Sequence, residues 1–160
     1  MRLRDDLAAY WRFAKEGGGW ATLFDLSIIY LVLFRLGSGL YRSQRKLFAP
    51  VRLLEKVLEL VFGVYMPFGV DIGGGMMIFH YHGIIVNGKA RIGRNCRLYA
   101  RVCIGNRFPG DGVPEIGDNV TIGTGACIFG PVSIPSGTVI PANAVVTPKT
   151  VDTFIGAQTG

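Results

Sequence analysis

The chain is poor in the residues on which many functions rest. Its 160 residues include two histidines and three cysteines, and only 18% are charged. Cys96, Cys103 and Cys127 form no CxxC pair and leave one thiol over under any pairing, which argues against zinc ribbons and disulfide scaffolds. No Lys/Arg run exceeds two and no zinc-finger or RNA-binding signature is present, so a nucleic-acid partner is not expected. Long apolar runs are missing too. Residues 21–34 form the longest apolar stretch, which contains Asp25 and stops at Arg35, whereas a membrane span needs about 20 residues. Asp5 and Asp6 follow two arginines where a secretory leader would turn apolar, so no cleaved signal is expected.

What is there describes a folded chain. Hydrophobic types make up 49% of the residues and glycine supplies 23, with a mean hydropathy of +0.36; disorder needs the opposite balance. The net charge is +6, and ten of the 17 basic residues fall in the first 60 positions against six of the 11 acidic ones. A basic excess of this kind suits a phosphorylated small molecule or an anionic membrane surface.

Two periodicities divide the chain near Gly63. Before it the apolar spacing is helical: Leu54, Val57, Leu58 and Val61 form one stripe and Arg52, Glu55, Lys56 and Glu59 fill the other face. Pro50 suits the first turn of that helix and Gly63 its end. Earlier helices are expected over residues 5–15 and 20–36, punctuated by glycines at 17–19 and by the Gly37–Gly39 region. After Gly63 a period of six takes over. The aliphatic series runs Val86, Ile92, Leu98, Ile104, Ile116, Ile122, Ile128, Ile134, Ile140, Val146. Its single gap of twelve coincides with a Pro/Gly-rich stretch, 106–115, read as a loop pushed out of the wall. Four residues after eight of these aliphatics comes a small or β-branched one: Ala90, Cys96, Val102, Val120, Ala126, Val132, Thr138, Ala144. Six is a multiple of the strand period, so both positions face the same side, large alternating with small as a narrow interior demands. A period this regular predicts a parallel β-helix of short strands. The cysteines sit at repeat positions and are read as reduced, buried thiols, which suggests the cytosol. One slip stands out: Ile78 to Val86 is eight residues, so two extra residues lie beside His80 and His82, and bulges of this kind often mark sites.

An aliphatic, a glycine and a small residue four positions on resemble the hexapeptide-repeat acyltransferases, over roughly residues 69–149. That resemblance implies a left-handed, three-sided parallel β-helix, mainly β, behind an N-terminal α-helical segment. The divisions are then 1–62 helical, 63–150 solenoid with its loop at 106–115, and 151–160 a tail. Within the superfamily, the segment Ile78-Phe79-His80-Tyr81-His82-Gly83-Ile84-Ile85-Val86-Asn87, the run Tyr99 to Arg107, and Pro114-Glu115-Ile116-Gly117-Asp118 resemble the serine acetyltransferase group, and within it the sugar-modifying relatives of polysaccharide biosynthesis.

The resemblance makes His80 the catalytic base: a hydroxyl is a poor nucleophile near neutral pH, and a neutral imidazole can take its proton as it attacks a thioester. Asp71 is carried over as its orienting carboxylate, nine residues upstream where the family has fifteen. His82, Glu115, Asp111 or a carbonyl are the alternatives. Gly105, Asn106, Arg107, Gly123, Thr124 and Ala126 lie where relatives lay coenzyme A, and Tyr81, Arg101, Asp111 and Glu115 are candidate acceptor contacts. Ile155-Gly156-Ala157 resembles the tail that closes over coenzyme A. Phe79, Gly112 and Val113 depart from the family, standing where it has an aspartate, an arginine and a second histidine that help bind an amino acid.

The expectation is an acetyl-coenzyme A-dependent O-acetyltransferase acting on a saccharide hydroxyl, free or lipid-linked, in glycan assembly. It needs no metal and no tightly bound cofactor, with acetyl-coenzyme A as co-substrate. Serine O-acetylation, amino-sugar N-acetylation and a silent trimeric scaffold are the alternatives. The resemblance implies a homotrimer with sites between subunits. The helices are read both as a cap on the open coil end and as a peripheral seat on the inner face of the plasma membrane, within a cytoplasmic protein.

Overall fold

The computed structural model describes residues 2–43 and 48–155. Helix α1 (Arg2–Phe13) leads through a turn at Ala14–Gly18 and a 3₁₀ segment, Trp20–Phe24, into α2 (Leu26–Ser43) and α3 (Phe48–Phe62). Twelve strands of two or three residues follow: β1 (Asp71–Ile72), β2 (Met77–Ile78), β3 (Ile85–Val86), β4 (Arg91–Ile92), β5 (Arg97–Leu98), β6 (Cys103–Gly105), β7 (Glu115–Ile116), β8 (Thr121–Ile122), β9 (Cys127–Phe129), β10 (Ser133–Ile134), β11 (Val139–Ile140) and β12 (Val145–Val146). A last turn, α4 (Val151–Ile155), ends the described chain. Each strand pairs in parallel with the strand three further on, giving sheet I (β1-β4-β7-β10), sheet II (β2-β5-β8-β11) and sheet III (β3-β6-β9-β12). The protein is therefore a left-handed parallel β-helix of about four coils with helices at its start.

The period of six is the period of the walls. Every member of the aliphatic series from Val86 to Val146 is buried, as are Ala90, Cys96, Val102, Val120, Ala126, Val132 and Thr138. Ile72 and Ile78 extend the series one coil upstream. Sealing each Ile or Leu inside contributes about 1.5–3 kcal/mol, so neighbouring coils hold each other without distant contacts. A plain coil takes 18 residues, as Ile85 pairs with Cys103 and Cys127 with Val145. The first interval is 20, Asp71 to Arg91, and the interval spanning the loop is 24, Arg91 to Glu115. Both irregularities stay at corners and leave the register intact.

The outward residues differ from face to face. Sheet I shows Asp71, Arg91, Glu115 and Ser133; sheet II shows Met77, Arg97, Thr121 and Val139. Sheet III shows Ile85, Cys103, Cys127 and Val145, with Tyr65 bridged below Ile85, and carries no charge. Only Cys96 is an interior thiol; Cys103 and Cys127 are half-buried neighbours on this outer face rather than buried as expected. Burial pushes the Cys96 thiol up to about 11.

The helices close the starting end of the solenoid with side chains in place of a further coil. The Tyr10 hydroxyl accepts from the Ile78 N–H and donates to the Ile78 carbonyl, both at 2.8 Å. Asp6 accepts from the Met76 N–H at 2.9 Å, and Arg35 donates to the Ile72 carbonyl at 2.9 Å. Arg42 donates to the Val70 carbonyl at 3.0 Å. Asp6 and Arg35 are themselves a buried pair, Nε to Oδ2 at 2.7 Å. These bonds tie α1 and α2 to the first coil.

Three helical details differ from expectation. The helix anticipated over 20–36 breaks at Asp25, whose carboxylate accepts from the Ser27 N–H at 2.7 Å and caps α2. In α3 the buried face is Val51, Glu55, Leu58 and Phe62, because Glu55 turns inward to accept from the Phe68 N–H at 2.7 Å, leaving Val57 and Val61 outward. Finally, α2 runs straight through Gly37 and Gly39. A Cβ at Gly37 would collide with the Phe68 ring, so this glycine exists to let the ring seat on the helix. Gly37→Ala is expected to destabilise by about 1–3 kcal/mol, read as a lowered urea midpoint.

Candidate active site

The four corners joining sheet II to sheet III form one edge of the prism. Three have four residues, 99–102, 123–126 and 141–144. The first, 79–84, has six. In the short corners the penultimate residue adopts positive φ: Arg101 (59°), Gly125 (72°), Asn143 (60°). Gly83 (74°) occupies that place in the long corner, and the insertion adds a second reversal at His80 itself (55°). Left-handed backbone is uncommon outside glycine, though histidine is among the residues that tolerate it, and such positions concentrate at functional sites.

The corner is held at both ends and lifted in the middle. Phe79 donates its N–H to Leu98 at 2.8 Å; beyond the histidines, Gly83 donates to Gly63 and Arg101 donates to the His82 carbonyl, each at 2.9 Å. Phe79 packs against the rings of Tyr10, Phe13 and Tyr99, and Tyr81 meets Phe62 at 5.6 Å. His82 stacks on Tyr81 at 4.2 Å. The two alternating aromatics are thereby bedded in the helical cap while the His80 side chain is left exposed. Among the described residues it has no hydrogen-bond partner. An imidazole presented in this way is free to exchange a proton with a bound hydroxyl.

The residues expected around His80 divide between two edges. On its own edge, Arg101 lies directly over the corner: a Cβ at Gly83 would come within 3.2 Å of Arg101 Cγ. Thr124, one coil further, accepts the Asn143 N–H at 2.8 Å and is half-exposed. Gly123 has a packing reason for being glycine, since a Cβ there would lie 2.6 Å from the Ala142 nitrogen. Ala126 does not fit a cofactor contact: its side chain is sealed inside the solenoid, its N–H goes to Gly123 and its carbonyl to Cys103. The spacing that singled it out is that of interior residues.

Gly105, Asn106, Arg107, Asp111 and Glu115 belong instead to the edge between sheets III and I. There the loop folds on itself. Arg107 pairs with Asp111 at 3.2 Å, Asn106 donates to the Phe108 carbonyl at 2.7 Å and accepts from Asn87 at 2.9 Å, and Glu115 faces Arg91 on sheet I. Asp71 also lies on sheet I, the face opposite the His80 edge, where it accepts from Arg2 at 3.0 Å. Within one chain neither Asp71, Asp111 nor Glu115 reaches His80, so the carried-over orienter is corrected: the missing family spacing puts Asp71 on the wrong face. Gly156 and Ala157 of the tail segment lie outside the described residues. The aromatic bed made by Phe13, Phe62 and Tyr10 went unrecognised in the sequence because nothing in the helical pattern ties those rings to one corner of the coil.

No protein-family model matches the chain. A serine acetyltransferase of Helicobacter pylori is 30% identical over 118 residues, covering 72% of this chain and 68% of that protein. One from Staphylococcus epidermidis is 30% identical over 152 residues, covering 91% and 69%. Among solved structures, serine acetyltransferase isoform 3 of Entamoeba histolytica in complex with cysteine superposes with a TM-score of 0.77 at 29% identity, over 91% of this chain and 53% of that one. The soybean enzyme complexed with serine gives 0.75 at 28%, over 92% and 65%. The chain thus spans little more than half of the Entamoeba chain.

Proposed function

Because the chain belongs to the serine acetyltransferase family, we propose that it moves the acetyl group of acetyl-coenzyme A onto an acceptor hydroxyl, with His80 as general base. The imidazole takes the hydroxyl proton as the oxygen attacks the thioester carbonyl. The C–S bond of the tetrahedral adduct then breaks, the proton passes to the departing thiolate, and the products are an acetyl ester and free coenzyme A. The observation that carries this reading is the two-residue insertion that gives His80 a left-handed backbone and leaves its ring exposed and without a partner among the described residues, whereas the exposed ring of His82 is stacked on Tyr81. Arg101 over the corner, with Arg107 on the neighbouring edge, supplies positive charge for the phosphates of coenzyme A.

The names of the relatives favour L-serine as acceptor over the saccharide expected from the sequence, and give no support to a closer tie with polysaccharide enzymes. A saccharide remains the second reading on one specific ground. Phe79 is locked among rings, and Gly112, where a Cβ would lie 2.7 Å from Pro131, leaves little room for a longer side chain. Together with Val113, these positions give an amino acid's charged ends none of the family's partners. Thiol release from acetyl-coenzyme A, measured with L-serine and in parallel with oligosaccharides and nucleotide sugars, decides between them. The expected result is acceptor-dependent release with a mass gain of one acetyl group on the acceptor. Release with no acceptor studied, or none above hydrolysis, would overturn the reading.

The family and the uncharged outer face of sheet III support a homo-oligomer, a trimer by family likeness, packed on that face. Sheet III separates the His80 edge from the loop edge, so a neighbour seated there carries its own loop toward His80 and completes the site. A cytoplasmic setting agrees with three unpaired thiols.

A further inference from the structure

The cap helices do more than their capping explains. The 18 residues of α2 include only two charged ones, Arg35 and Arg42. Arg35 is buried against Asp6, and Arg42 is tied to the Val70 carbonyl. The outward side consequently shows Leu26, Ile29, Leu36 and Leu40 with no charge between them, the first three half or more exposed. Phe24, just ahead, is 87% exposed, and Leu60 of the adjoining α3 is 86% exposed. A soluble surface rarely leaves so continuous an apolar stripe without an occupant.

We propose that this face of α2, with Phe24 and Leu60, seats the protein on an anionic lipid bilayer surface. Three observations choose lipid over a second helix. A helix seam is flanked by charged positions that set register and partner, and the one exposed charge of α2, Arg42, is turned to the Val70 carbonyl and away from the apolar stripe. Trp11 and Trp20 meet edge to face at 5.3 Å, and the Lys15 ammonium lies 5.4 Å from the Trp11 ring, a pairing of indole and cation suited to the headgroup layer. Residues 1–62 carry ten basic and six acidic side chains, an excess complementary to anionic lipid. The helix lies in the interface rather than through it, since no described helix is long and apolar enough to cross. The seat is independent of the acetyl-transfer chemistry, and nothing in it touches the His80 edge.

Flotation of the full chain with vesicles tests it. Binding is expected to vesicles of phosphatidylcholine with about 30% phosphatidylglycerol, much less to phosphatidylcholine alone, and to weaken with added salt. Ile29→Glu with Leu36→Glu, both at exposed positions, is expected to reduce bound protein at least about tenfold while thiol release with a soluble acceptor is unchanged. Should the double variant lose its fold by circular dichroism, Ile29→Ser with Leu36→Ser is read in its place. Failure of the unaltered protein to float with anionic vesicles would overturn the proposal, as would full flotation of the folded variant. So would a fall in solution mass with flotation untouched, which would make this a face between copies.

Discussion

Replacing His80 with asparagine is expected to slow acetyl transfer by about 10²- to 10⁴-fold while leaving the fold intact. Asparagine is chosen because it accepts left-handed backbone, as the φ of 55° at this position requires. The side chain is exposed and sits outside the solenoid wall, so neither the core nor the aromatic bed is touched. The loss should appear in kcat at saturating acetyl-coenzyme A, since proton removal belongs to the chemical step and not to donor binding. His82→Ala is the internal comparison. Its ring is stacked on Tyr81 at 4.2 Å and its carbonyl, which does the structural work, survives the substitution. A loss of less than about tenfold is expected there, a hydrogen-bond-sized effect at most. Equal losses at both positions, or activity within twofold for the asparagine variant, would remove His80 from the role of base.

The largest effect on stability is expected at Asp6. Asp6→Ala strands a buried guanidinium and the Met76 N–H together, and breaking such a pair costs about 3–5 kcal/mol. The urea midpoint should fall accordingly. Removing the cation instead gives a distinguishable result. Burial already holds the Asp6 carboxyl above its ordinary value, against the opposing pull of Arg35. In Arg35→Met that pull is gone and the folded carboxyl holds its proton more tightly still. A group raised in the folded state contributes stability that is complete below its unfolded value and is lost as pH climbs through the folded one. Arg35→Met should therefore stand closer to the unaltered protein at acid pH than at pH 8, whereas Asp6→Ala, which has no carboxyl to titrate, should show no such recovery. Parallel pH profiles for the two variants would refute this account.

The solenoid was readable because its strands repeat one physical demand, a large aliphatic inward at ten positions, eight of them followed four residues on by a small or β-branched one. Even the slip between Ile78 and Val86 could be located from spacing alone, and the long corner is where it falls. The helical cap was less readable. Gly37 looks like a breaker until the Phe68 ring is seen against it, and Glu55 looks like a solvated residue until the Phe68 N–H claims it. Both depend on a partner in the turn before β1, far from them in the pattern. The same limit governs the site. Periodicity tells which residues face outward, but not which edge of the prism they share. Ala126 was misplaced by treating an interior beat as a ligand position, and Asp71 by counting along the chain instead of around it.

Tyr10 stands where the next turn of the coil would otherwise have its backbone, offering one donor and one acceptor to Ile78. A repeat has no internal reason to begin where it does, so its first rung must be set by something foreign to it, here a phenol on α1 with Asp6, Arg35 and Arg42 beside it. Strip away α1 and the bared rung becomes a template. A surface that now ends in side chains would then end in unpaired strand edge, the kind of edge on which other chains pair.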